Sequence, residues 1–222
     1  MTYILNIETA TKNCSVSVAK DGEVVACREA AEAGYTHAEK LHVFIEEALR
    51  DANILFQDLN AVAVSRGPGS YTGLRIGVSA AKGLCYALNI PLVIVDTLQV
   101  LAAQAKVEHG KIIPMIDARR MEVYSAIFSS DLQAEREVQA EVITEDSFSD
   151  MEDAVYFVGD CADKCKPVLT KSNFTFLEDI LYPSANEMAS LSFAKFAQGD
   201  FADVAYFEPY YLKDFLMTTS KK

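Results

Sequence analysis

YILNIETATKNCSVSVA, residues 3–19, and IIPMIDARRMEVYSAIF, residues 112–128, are built to one plan, and that repetition decides the fold. Each opens with an apolar run that closes on a carboxylate, Glu8 in the first and Asp117 in the second. A polar turn follows, TATKNC or DARRM, and then a second run of strand-forming residues. Two such runs joined by a short turn make an antiparallel hairpin. In the first copy Asp21-Gly22 turns the chain once more into EVVAC, giving a three-strand meander.

Beyond the meander, Thr36 is placed as an N-cap with Glu39 three residues on, a capping-box pattern that opens a helix through about Ala52. AVAVSRG at 61–67 reads as a buried strand, GPGS as a tight loop and 71–88 as a second helix, followed by the strand PLVIV and another helix from about Thr97. The second copy repeats this order in shorter form. AVYFVGD at 154–160 echoes AVAVSRG, with helices expected near 161–169 and 186–198. The lobe boundary should fall near 105–111, giving an N-terminal lobe of 1–108 and a C-terminal lobe of 109–222. Two βββαβαβ lobes side by side, the second reduced, describe the two-lobed α/β superfold of actin, Hsp70 and the sugar kinases. That likeness supplies a fold and no function.

Half of the 222 residues are hydrophobic, so the chain can bury a core without cross-links. Cys14, Cys27, Cys85, Cys161 and Cys165 are odd in number and form no CxxC, which fits small packed hydrophobes in a reducing compartment and a cytoplasmic address. The N-terminus lacks a basic leader, and no stretch approaches the roughly 18 apolar residues of a membrane span, so neither export nor insertion is expected. The 20 Lys and Arg against 32 Asp and Glu leave a net charge of −12, a field that repels a phosphate backbone and argues against direct nucleic-acid binding. The acid-rich stretch 131–153 reads as a solvated surface.

SRGPGSYTGLRIGVSAAKGL, residues 65–84, runs from a strand through a glycine loop into a helix start. Amides at a helix start suit an anion, and Gly67 and Gly69 permit close backbone approach. The segment matches neither the P-loop nor GxGxxG, so a structural turn is the competing reading. Together with ILNIETATKNCSVSV, THAEKL, ALNIPLVIVDTL and IDARRMEVY, it resembles the TsaB family over most of residues 3–128, and the likeness returns weakly at EPYYL, residues 208–212.

The resemblance implies a non-catalytic scaffold that pairs directly with TsaD, the metal-dependent paralogue that transfers a threonylcarbamoyl group to the adenosine 3′ of the anticodon in tRNAs reading ANN codons. It also implies the ATPase TsaE as a member of the complex and TsaC as the functional supplier of threonylcarbamoyl-adenylate. The tRNA would be met only through the complex, and a homodimer is open to the lone chain.

In TsaD a His-x-x-x-His pair follows the strand corresponding to PLVIV, with two imidazoles on one helical face as a metal requires. Here those positions are Thr97 and Leu101, so no metal is expected. His37, His42 and His109 read as surface histidines. Peptidase chemistry lacks its residues: there is no HExxH and no GxSxG, and Cys161 and Cys165 have no neighbouring histidine. The rival reading is an independent ATP-dependent phosphotransferase or ATPase, because Glu8 and Asp117 end the duplicated strands where such enzymes keep metal-linked carboxylates. Against it, the turns TATKNC and DARRM lack the glycines of ATP-hydrolysing relatives and put Arg119 and Arg120 where phosphate would press. Intrinsic activity and a resident cofactor are therefore not expected. A residual nucleotide cleft of Glu8, Thr9, Thr11, Gly67, Gly69 and Asp117, with ATP or ADP contact at the partner interface, stays open.

The helix over 71–88 carries Gly73, Gly77, Ala80, Leu84 and Ala87 on one face and Leu74, Val78 and Cys85 on a second beside it, an arc wider than one-sided packing uses. One face is expected to meet something beyond its own sheet. The helix over 37–52 turns Leu41, Phe44, Ile45, Ala48 and Ala52 inward and leaves Val43 among Glu39, Glu46, Glu47 and Arg50. The resemblance implies that these helices join their TsaD equivalents in a four-helix bundle, with Leu41, Val43, Phe44, Leu74, Gly77, Val78, Ala81 and Cys85 as the interface.

Overall fold

A computed structural model describes residues 1–31 and 37–212. Its elements are β1 (Tyr3–Glu8), β2 (Asn13–Lys20), β3 (Glu23–Ala31), α1 (His37–Asp51), β4 (Ala61–Ser65), α2 (Tyr71–Leu88), β5 (Leu92–Val95) and α3 (Thr97–Ala102). They continue as β6 (Lys111–Asp117), β7 (Glu122–Ser129), β8 (Ala134–Val142), β9 (Val155–Val158), α4 (Ala162–Cys165), β10 (Phe174–Phe176) and α5 (Ala185–Gln198). The expected cap at Thr36 lies outside the described residues.

The duplication is plain in the sheets. The first has the order β3-β2-β1-β4-β5 and the second β8-β7-β6-β9-β10, with antiparallel hairpins on one side of the central strand and parallel partners on the other. This is the two-lobed α/β superfold expected from the repeat. The second copy has no helix between β8 and β9 where the first has α1, and its α4 is a single short turn where α2 has 18 residues. An aromatic cluster stands in for the lost helices: Phe157 stacks on Phe176 at 4.8 Å and meets Phe174 edge-on at 5.2 Å, with Phe148 beside it.

Both faces of the first sheet are covered, which is why β1, β2 and β4 read as nearly continuous apolar runs. Leu5 and Ile7 point to one face, where they meet Leu41 and Ile45 of α1 and Val78, Ala81 and Cys85 of α2. Ile4 points to the other, where it joins Ala61, Ala63, Val93 and Val95 under Ala185 and Met188 of α5. Helix α5, which the repeat assigned to the second copy, thus returns to the first sheet. The reason is local: alanines on the outer face of β4 leave room for a helix, and polar side chains on β1 and β2 hold it. Ser192 Oγ donates to Asn6 Oδ1 at 2.6 Å, Asn6 Nδ2 donates to Ser17 Oγ at 3.1 Å, Ser17 Oγ donates to the Ala185 carbonyl at 2.7 Å, and the Ala185 amide donates to Ser15 Oγ at 2.9 Å.

Candidate partner-docking face and the turn that braces it

Helix α2 is set by both its ends. Ser70 Oγ accepts from the Gly73 amide at 3.2 Å, and Asn89, at φ 54°, closes the helix with its amide on the Cys85 carbonyl. Between the caps, Gly73 and Gly77 turn toward the β1–β2 turn. A Cβ on Gly73 would lie 2.1 Å from the Thr9 carbonyl oxygen, and one on Gly77 would lie 2.2 Å from Thr9 Oγ1. That face of α2 is a seat for residues 9–12, which accounts for the unusually wide apolar arc.

The expected interface set is corrected accordingly. Leu41, Leu74, Gly77, Val78, Ala81 and Cys85 are buried in the chain's own core, and Phe44 is half-buried against it. A fully buried side chain has no surface to offer, whereas Phe44, like Ile76 and Ala80, packs partly against this core and shows the rest to solvent. Val43 keeps 51% of its surface exposed. What α2 shows to solvent is Arg75, Ser79, Gly83, Tyr86 and Ala87, with Ile76 and Ala80 half-exposed among them. Arg75, Ile76, Ser79, Ala80, Gly83 and Leu84 of α2, with Ala38 and His42 of α1, line a shallow, largely apolar groove of about 610 Å³. A Cβ on Gly83 would meet nothing within 4 Å, and Tyr86 stands 85% exposed beside it. The spacing Ile76, Ser79/Ala80, Gly83, Ala87 carried this face in the sequence, but periodicity could not say which of several apolar faces the sheet would take.

Residues 203–212 brace the opposite flank. Lys82 Nζ donates to the carbonyls of Ala205 at 3.1 Å and Phe207 at 3.0 Å, and the Tyr210 amide donates to the Arg66 carbonyl at 2.8 Å. Arg75 lies over the Tyr71 ring, 4.2 Å from its centroid, and its Nε donates to Tyr211 Oη at 3.3 Å. Sequence reasoning assigned none of these contacts to EPYYL.

The β1–β2 turn ties the two helices together. Glu8 Oε1 accepts from the Ala10 amide at 2.6 Å, the Ala10 carbonyl accepts from the Ser70 amide at 2.7 Å, and Thr9 Oγ1 donates to the Gly73 carbonyl at 2.8 Å. His37, expected on the surface, is fully buried. Its Nε2 lies 2.7 Å from the Thr11 carbonyl and must be the donor, since a carbonyl only accepts. Burial holds the imidazole below its ordinary pKa, against the opposing bond to Thr11.

In the glycine loop at 67–69 the Gly67 amide donates to Thr97 Oγ1 at 2.9 Å, and just beyond it the Ser70 amide donates to the Ala10 carbonyl and the Gly73 amide to Ser70 Oγ. A Cβ on Gly69 would lie 2.3 Å from the Ala10 carbonyl oxygen, so the close approach these glycines permit is to the chain itself. The nucleotide-cleft set divides by burial: Glu8, Thr9, Thr11 and Gly67 are buried, Gly69 is half-buried, and Asp117 is exposed. Asp117 accepts from the Arg119 amide at 3.0 Å and pairs with Lys164. Burial pushes Glu8 up to about 7, the value of a group that is half protonated near neutrality. Thr97 and Leu101 are both buried, and among the described residues no group of three or more His, Cys, Asp or Glu is placed to hold a metal. The cysteines carry no disulfide, and burial pushes the thiols of Cys14, Cys27, Cys85 and Cys165 up to about 11 and that of Cys161 further.

The profile of the tRNA N6-adenosine threonylcarbamoyltransferase family, TsaD, matches residues 29–206. The tRNA threonylcarbamoyladenosine biosynthesis protein TsaB of Escherichia coli is 32% identical over 222 residues, covering 95% of this chain and 94% of that one. A tRNA N6-adenosine threonylcarbamoyltransferase of Bacillus thuringiensis is 41% identical over 107 residues, 41% of this chain and 31% of that protein. Among solved structures, YeaZ of Pseudomonas aeruginosa superposes with a TM-score of 0.84 at 24% identity, covering 96% of this chain and all of that one.

Proposed function

The chain belongs to the TsaB family of tRNA threonylcarbamoyladenosine biosynthesis proteins, and from that membership we infer that it is the non-catalytic scaffold subunit that pairs with TsaD. The observation that carries this reading is the open face of α2. Ser79, Ala80, Gly83 and Ala87 let another helix come close, Ile76 supplies apolar contact, and Tyr86 and Val43 stand exposed at the margins. Shared sequence with threonylcarbamoyltransferases supports a partner of related fold on that face.

The residues a catalytic reading would need are either sunk in the core, as Glu8 is, or lack the imidazoles of a metal site, as Thr97 and Leu101 do. In this reading ATP or ADP touches the chain only at its seam with TsaD, TsaE joins the assembled pair, TsaC supplies the activated group, and tRNA is met through the complex in the cytoplasm. A second copy of this chain would compete for the same face when TsaD is missing.

The test is reconstitution. This chain, TsaC, TsaD, TsaE, ATP, bicarbonate, threonine and an ANN-reading tRNA should yield the modified adenosine, and omission of this chain should abolish it. The chain by itself should neither modify tRNA nor turn over ATP. ATP turnover by the lone chain that vanishes in Asp117→Ala would establish the phosphotransferase instead.

A further inference from the structure

We propose that Glu8 works as a carboxylic acid at the hub of the docking helices, and that its deprotonation loosens the seating of α1 and α2. This rests on the reading that those helices carry the docking face. Glu8 ends β1 with no exposed surface, and Ser65 ends the neighbouring parallel strand β4, where Ile7 pairs with Val64 in register. Glu8 Oε1 is used by the Ala10 amide, while among the described residues the buried Oε2 has no partner within hydrogen-bond geometry. Ser65 Oγ, likewise buried, has none within that geometry there, and its hydroxyl favours the ionised carboxyl from next door.

An ionised Glu8 would be a buried charge with no cation beside it among the described residues, eased only by the Ala10 and Thr9 amides and the Ser65 hydroxyl. A proton on Oε2 removes the charge and turns the stranded acceptor into a donor for Ser65 Oγ. The three residues that follow then carry both helices: Thr9 bonds Gly73, Ala10 bonds Ser70, and Thr11 bonds His37. Ionisation would draw water or a donor to Oε2, and the turn that must yield is this one.

The surroundings leave Glu8 as the group that titrates. Cys14 on β2 stays a thiol, pushed up to about 11 by burial, and Lys40 of α1 acts on that thiol. Burial lowers the pKa of the His37 imidazole of α1, against its bond to Thr11. Desolvation dominates at Glu8 itself, opposed only by the hydrogen bonds of Ala10, Ser65 and Thr9, with no charged side chain from β2, β4, α1 or α2 to offset it. A carboxyl raised in the folded state stabilises that state fully at low pH, loses the contribution as pH climbs from the ordinary carboxylate range to about 7, and changes little above it.

Hydrogen exchange of the lone chain tests this, read by mass spectrometry at pH 5.5, 7 and 8 and corrected for intrinsic rates. In the wild type, segments 8–16 and 66–78 should lose protection roughly thirtyfold between the two extremes, as opening that exposes Glu8 follows its ionisation. Segment 112–128 should not change, and Glu8→Gln, which keeps the acceptor and a donor without a titration, should be flat throughout. A flat wild type, the same slope in Glu8→Gln, or an equal loss in 112–128 would overturn the proposal. If Glu8→Gln does not fold, carbon-13 titration of the wild-type Glu8 carboxyl decides: a midpoint near 7 supports it and an ordinary carboxylate midpoint sinks it. The lone chain is used throughout, so failure here leaves the pairing with TsaD standing, and failure of that pairing leaves this result intact.

Discussion

A methyl group added to Gly73 or to Gly83 should move stability in opposite directions, although both glycines lie in the interior of α2. At Gly83 the new Cβ would meet nothing within 4 Å. Gly83→Ala therefore gains helix propensity without a clash, about 1 kcal/mol, or a melting shift of about 2–4 °C in a chain of this size. At Gly73 the Cβ would fall 2.1 Å from the Thr9 carbonyl oxygen and 3.1 Å from His37 Cδ2. Backbone, not a flexible side-chain tip, must give way there, and it is held by the bonds from Thr9 to Gly73 and from Ser70 to Ala10. Overpacking of about 1–3 kcal/mol plus roughly 1 kcal/mol for each weakened bond exceeds the propensity gain, for a net loss of about 2–4 kcal/mol. Urea unfolding followed by circular dichroism gives both values. Gly83→Ala should also weaken TsaD binding about fivefold to a hundredfold in titration calorimetry, because a methyl group in a close helix crossing costs about 1–3 kcal/mol. A destabilised Gly83→Ala or a Gly73→Ala of wild-type stability would refute the assignment of faces on α2. A stabilised Gly83→Ala with unchanged affinity would move the partner elsewhere.

Val43→Arg should melt normally and lose TsaD in a pull-down, whereas Val78→Arg, at 4% exposure on the sheet-facing side of α2, should fail to fold, since an unpaired buried guanidinium costs several kcal/mol; a folded Val78→Arg would contradict the packing of that face. Ser17→Ala should lower the urea midpoint by about 1–3 kcal/mol of stability, because it strands Asn6 Nδ2 and the Ala185 carbonyl under α5, and a neutral effect would mean that α5 is held by its apolar contacts alone.

The duplication was legible because it is written in strands. A strand's burial repeats every two residues, so YILNIE and KIIPMID announce themselves and their turns without any knowledge of the neighbours. The bounds of α2 were legible for a similar reason, since Ser70 and Asn89 are local signals. The docking set was not. Leu74, Val78 and Cys85 look like a free face on a helical wheel, and only burial of all three, with Val78 and Cys85 packed in one cluster with Leu5, Ile7 and Val64, reveals them as core. His37 failed in the same manner: its residue type suggested an exposed side chain, and burial made it a strut.

By itself, then, the sequence determined the two-copy α/β fold, because strands and turns follow from residue types at fixed spacings along the chain, and its resemblance to known sequences pointed to the family. Only the tertiary structure decided which face of α2 remains open, why the glycines of 67–77 are needed, and that α5 crosses back to the first sheet. Those outcomes depend on residues more than sixty positions apart, Thr9 against Gly73 and Asn6 against Ser192, competing for the same surface. No periodicity within a single helix records the result of that competition.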